Sequence, residues 1–164
     1  REDPVRALRA IRMKNERKGY RIDPGTFAAV RRLGPKLLAG VPADRLAGEL
    51  VRSFRADPCG TFDDLLRSGI LRALLPELAR MRSGAQRARR RYAALSRACP
   101  GPLPPTILLS NLLLDLPQEK AEAAARRLRF PNLKRILSTV SDLRLLRGLG
   151  RVSPARRFPG NDYQ

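Results

Sequence analysis

Apolar residues recur at every third or fourth position through nearly every segment of this chain, and nowhere do they alternate convincingly with polar ones. That spacing suits helices and leaves no material for a sheet. The expected fold class is all-α: a neck and body of short antiparallel helices, a basic helix and a disordered C-terminal tail. Asp3 and Pro4 start the first helix as N-cap and N1 residues. Val5, Leu8 and Ile11 then form an apolar stripe, with Arg6, Arg9 and Arg12 in a second stripe beside it. Gly19 ends that helix, and Tyr20 and Ile22 are expected to fold back onto it. Asp23-Pro24 repeats the start, opening a helix through Phe27, Val30 and Leu33 that Gly34-Pro35 is expected to break. Pro42-Ala43-Asp44 begins a third helix, burying Leu46, Leu50, Val51 and Phe54. Asp57-Pro58-Cys59-Gly60 reads as a turn, and Thr61 with Asp64 as a start resembling a capping box. Phe62, Leu65, Leu66, Ile70, Leu74, Leu75 and Leu78 follow as a core strip interrupted near Gly69.

From Leu78 to Leu114 there is no acidic residue, and Arg80, Arg82, Arg87, Arg89, Arg90, Arg91 and Arg97 crowd the first half of that stretch. Seven arginines with no acid among them point to phosphate contact. Tyr92 in their midst is read either as core or as a platform for a base. Residues 99–105 form a Pro-rich linker and a boundary. Beyond it come an apolar helix around Ile107 to Leu114, a charged one around Gln118 to Arg129, and a third through Leu133, Ile136, Leu137, Val140, Leu143 and Leu146. The expected division is 1–80 as neck and body, 81–149 as a basic helical continuation, and 150–164 as a disordered tail.

The charge names a class of partner. Lys and Arg number 34 against 15 acidic residues, a net charge of +19 that a fold does not require. Polyanions, RNA or DNA first, are the expected partners. Arginine predominates, and its planar fork suits phosphate and bases; GC-rich codon usage is the plain alternative for the Arg/Lys ratio, though not for the net charge. With no His and only Cys59 and Cys99, a zinc site and Ser-His-Asp or Cys-His catalysis are excluded. Reduced thiols in a cytosol-like compartment are the simpler expectation, with a disulfide left open. The longest apolar stretch, Ile107 to Leu116, falls short of the roughly 20 residues that span a bilayer, so no membrane partner is expected.

Three stretches in order carry a resemblance. "EDPVRALRAIR" (2–12) and "GYRIDPGTF" (19–27) come first, then "VPADRLAGELVRSF" (41–54), then "FDDLLRSGILRALLPEL" (62–78). Together they resemble the neck and body of bacterial poly(A) polymerases and CCA-adding enzymes, the class II tRNA nucleotidyltransferases, over residues 1 to about 80. "DPVRALRA" and the proline of "VPADRL" lean toward the poly(A) polymerase branch, and the choice between A and C-and-A addition stays open. Residues 81–164 match only loosely, as the family's RNA-binding region.

The resemblance implies that a head domain carries an Asp-x-Asp pair with two Mg2+ ions and that the neck reads the incoming nucleotide. Asp3 and Arg6 would bond its Watson–Crick edge, with Arg9 and Arg12 meeting triphosphate or RNA backbone and Arg45 on the matching third helix. A carboxylate only accepts and a guanidinium only donates, so the pair can read an edge offering both, and a spacing of three lets both reach one spot. The plain alternatives are Asp3 as a cap with a surface pair to Arg6, and Arg45 with Glu49 as a structural salt bridge. Lys14 and Asn15 stand where the family usually has small packing residues, which changes the neighbouring packing. The chain has no Asp-x-Asp and no glycine-rich nucleotidyltransferase loop, and adjacent Asp63 and Asp64 point apart.

The chain is therefore expected to bind RNA, as single-stranded 3′ ends or tRNA, to hold no cofactor itself, and to add no nucleotide alone. ATP, or CTP and ATP, with Mg2+ belongs to a complete enzyme. A DEAD-box RNA helicase is a further partner that the resemblance implies, and the cytoplasm, or an organelle in a eukaryote, is the expected setting. The alternatives are a stand-alone basic helical adaptor on RNA or such a helicase, and, third, a helix-turn-helix DNA binder around Gly34-Pro35.

Overall fold

The computed structural model describes residues 5–17 and 19–149, and among these it is all-helical. Helices α1 (Val5–Glu16), α2 (Pro24–Leu33), α3 (Leu37–Gly40), α4 (Ala43–Ala56), α5 (Pro58–Arg67), α6 (Ile70–Leu74) and α7 (Pro76–Arg80) come first. They are followed by α8 (Gly84–Ala98), α9 (Pro105–Leu113), α10 (Gln118–Arg127) and α11 (Leu133–Leu149). Asp3, Pro4 and the tail from residue 150 lie outside the described residues.

Val5, Leu8 and Ile11 are buried, as the stripe predicts, and α1 packs chiefly on α4, whose Leu46, Leu50 and Phe54 are buried too. Helix α9 is buried on every side, with Leu108, Leu109, Ser110, Asn111, Leu112 and Leu113 all inside. A helix that is apolar all round belongs in the centre of a core, and α9 packs on α4, α8 and α11. One hydrophobic cluster thus runs from Val5 to Val140, across the Pro-rich segment 99–105.

Three local expectations need correction, while the break at Gly34-Pro35 holds: α2 ends at Leu33 with Gly34 as its C-cap, and the chain goes on as a 3-10 turn, Gly34–Lys36, into α3. Glycine is needed there for closeness, because a Cβ would lie 2.7 Å from Cγ1 of Ile70 on α6. Helix α5 begins at Pro58, capped by Asp57, whose carboxylate accepts from the Gly60 amide at 2.8 Å. Asp57-Pro58 is the same cap-and-proline signature as Asp23-Pro24, and Thr61 and Asp64 are buried residues of that helix rather than its start. Ile22 packs on the core, but Tyr20 does not fold back and is 59% exposed. Leu66 is also 42% exposed, whereas Phe62 and Leu65 on the same helix are buried. Cys59 and Cys99 are free thiols. Among the described residues no helix is long and apolar enough to cross a membrane.

Candidate nucleic-acid interface

The expected base-reading stripe divides in two. Arg6 and Arg45 are exposed, and their side chains have no hydrogen bond or ion pair among the described residues. Arg9 and Arg12 instead reach Glu49, which α4 holds almost fully buried. Arg12 Nε donates at 2.9 Å and Arg9 Nε at 3.4 Å, with Arg52 at 3.6 Å from the same carboxylate. Arg12 also donates to Glu16 at 2.7 Å, and that bond, then the bond to Glu49, raises its pKa against the opposing effect of burial. Glu49 is thus a staple between α4 and α1, and its partners are these arginines rather than Arg45. Asp3 lies outside the described residues.

The basic run on α8 divides likewise. The stretch contains no acid, but the fold supplies two from elsewhere. Arg89 makes a two-pronged bond to Asp63, at 2.6 and 2.9 Å. The Asp115 carboxylate, on a side chain only 4% exposed, receives Arg91 at 2.7 Å, Arg147 at 3.1 Å and Arg87 at 3.3 Å. Burial, the largest single influence, pushes the Asp115 carboxyl up; hydrogen bonds from Arg91 and Arg147, and the charges of Arg91 and Arg87, outweigh it and hold the pKa below its ordinary value. Arg80, Arg82, Arg90 and Arg97 remain exposed, with no ion pair among the described residues. Tyr92 is no platform: it is wholly buried, donates from its hydroxyl to the Leu108 carbonyl at 2.7 Å and stacks on Phe54 with centroids 5.0 Å apart.

A cleft that the sequence did not single out lies between the end of α1, the loop before α2, α2 and α5. Its volume is about 760 Å³. Tyr20 and Phe27 supply aromatic rings, and Lys14, Arg21, Arg31 and Arg67 supply cations. Local chemistry builds it. Gly19, at φ +85°, turns the chain out of α1, and Asp23 caps α2 by accepting from the Thr26 amide at 3.0 Å. That interaction with Thr26 lowers the Asp23 pKa. Asp64 closes the wall from α5, its Oδ2 accepting from Lys14 Nζ at 2.8 Å and Asn15 Nδ2 at 3.3 Å. The two polar residues that depart from the expected small ones therefore have partners, in a buried network that continues through Thr61 to Ser53. With Lys14 neutralised, Arg21, Arg31 and Arg67 are exposed cations with no ion pair among the described residues. Arg67 lies over the Phe27 ring at 5.3 Å and Arg17 over the Tyr20 ring at 5.4 Å, both within cation–π range. Exposed cations beside accessible rings are what a single strand with unstacked bases requires.

Residues 19–82 match the family model described as the probable RNA and SrmB- binding site of polymerase A. The match covers well under half of the chain, and apart from Lys14 every residue that lines the cleft lies inside it. This stretch is related to the RNA-binding region of poly(A) polymerases. Comparison with curated proteins and with solved structures gave no match. Among the described residues no group of three or more His, Cys, Asp or Glu could hold a metal ion.

Proposed function

We propose that the chain is the RNA-binding part of a poly(A) polymerase-like protein that acts in RNA 3′-end processing. One observation carries the reading: the stretch similar to the RNA-binding site of polymerase A is also the stretch that lines the basic, aromatic cleft. The net charge of +19 and the exposed Arg80, Arg82, Arg90 and Arg97 support a second, non-specific contact with RNA backbone. The RNA is a single-stranded 3′ end or a tRNA. Chemistry belongs to a complete enzyme in which another domain brings ATP, or CTP and ATP, and Mg2+. In that enzyme Arg6, whose side chain has no ion pair among the described residues, reads the nucleotide together with Asp3. Arg9 and Arg12, stapled to Glu49, fix the helix that presents it. The matched family is a site for SrmB as well as RNA, which supports a helicase of the DEAD-box kind as protein partner. The cytoplasm is the proposed setting.

The test is equilibrium binding of the chain to a fluorescent single-stranded RNA and to a DNA duplex of equal phosphate number, at one salt concentration. Single-stranded RNA is expected to bind at least tenfold more tightly. Equal or tighter binding of the duplex would overturn the reading.

A further inference from the structure

Tyr20 is left more exposed than folding would ask of it. A tyrosine normally buries its ring and keeps only the hydroxyl in water, yet this one is 59% exposed, whereas Tyr92 is fully enclosed. Tyr20 sits in the loop just after Gly19, on the rim of the cleft. Arg17 lies over its ring, 5.4 Å from the centroid, while Tyr20 itself, and not Arg17, lines the cleft. Phe27, on the first turn of α2, adds a second ring, with Arg67 parked over it. Around these rings stand Arg21, Arg31 and Arg67, on three different elements and with no carboxylate paired to any of them among the described residues.

Resting on the reading of this region as an RNA site, we propose that the cleft takes unpaired bases of single-stranded RNA. One base stacks on Tyr20, and Arg21, Arg31 and Arg67 hold the flanking phosphates. Size, shape and chemistry agree on this class of ligand. A cleft of about 760 Å³ is that of a small-ligand site, enough for one or two nucleotides and too small for a duplex. A duplex keeps its bases stacked and offers a backbone, for which an aromatic ring has no use. A single strand can splay a base onto a tyrosine or a guanidinium plane, and every base has such a face. The Arg17–Tyr20 stack is already built, and a base on the ring extends it by one layer. Arg67 has two positions open to it, over Phe27 or on a phosphate, so the ring stores the cation at the cleft until the strand arrives.

Tyr20 tests this directly, because a residue so exposed can be changed without disturbing the core. The chain has no Trp and three tyrosines, of which Tyr92 is shut away from any ligand. With Tyr163→Phe as the common background for the emission measurement, the ligand-sensitive signal comes from Tyr20. Binding of labelled single-stranded oligoadenylate and of a double-stranded RNA of equal charge is measured for the wild type, Tyr20→Ala and Tyr20→Phe. Stacking predicts that Tyr20→Ala weakens the single strand roughly tenfold and the duplex less than twofold. Tyr20→Phe keeps the wild-type affinity while losing the quenching of tyrosine emission that RNA causes in the wild type. If the wild type binds the single strand and Tyr20→Ala binds it equally well, the stacking site is overturned and the RNA-binding reading stands. If the wild type binds neither RNA, both fall.

Discussion

At Gly60 two carboxylate and amide oxygens crowd the place where any other residue would carry its side chain. A Cβ there would lie 2.4 Å from Oδ2 of Asp57 and 2.7 Å from Oδ1 of Asn15. One of these groups caps α5, and the other belongs to the buried network that joins α1 to α5. Gly60→Ala is therefore expected to destabilise the protein by about 1–3 kcal/mol, the usual range for overpacking. Urea denaturation will show it as a lower midpoint at unchanged slope, and an unchanged midpoint would mean that the cap and network yield without strain. Lys14 and Asn15 show how far the sequence reaches at this scale. It marks them as polar where small residues are expected, but their partners Thr61 and Asp64 lie more than forty residues away. Nothing local announces such a pairing. Glu49 is similar: its spacing from Arg45 suggests one bridge, and the fold delivers Arg9 and Arg12 from another helix instead.

Helices α8, α9 and α11 meet at Asp115, and the stability of that junction depends on one charge. The Asp115 side chain is buried against Arg87, Arg91 and Arg147, and its pKa is held below the ordinary value. A depressed folded pKa means that the unfolded chain binds the proton more tightly. The stabilisation is then fully present above the ordinary aspartate value of about 3.9 and is lost as pH falls through the lower folded value. Asp115→Asn is expected to cost about 1–3 kcal/mol near neutrality, because the three arginines it leaves behind are partly exposed and can turn to water. The variant should also lose less stability than the wild type between pH 5 and acid, which thermal melts across that range will measure. Glu77, lowered chiefly by its bond from Arg127, adds an acid sensitivity of the same sign that the variant keeps. The helices themselves were legible, because caps, prolines and apolar spacing act within a few residues. The use of the α8 arginines was not: Asp63 and Asp115 balance Arg87, Arg89 and Arg91 from outside the run, so an acid-free stretch of sequence is not an acid-free surface.

Across the whole molecule one core unites the helices on both sides of the Pro-rich segment 99–105, and the cleft forms on its outer face. The all-helical class and the polyanion partner were readable from spacing and charge. The cleft was not, because Lys14, Tyr20, Phe27, Arg31 and Arg67 are gathered by α1, α2, α5 and the loop between the first two. A faint signal existed in Tyr20, a scarce aromatic set between Arg17 and Arg21 just after a glycine. The central claim is that this cleft, rather than diffuse positive charge, holds RNA. It is tested most directly by the salt dependence of single-stranded RNA binding, measured by fluorescence anisotropy for the wild type and for the triple variant Arg21→Ala, Arg31→Ala, Arg67→Ala. Each phosphate contact on a single strand contributes about 0.7 to the log–log slope, so the variant should bind more weakly with a slope shallower by about 2. Equal affinity and equal slope in the two proteins would contradict the account.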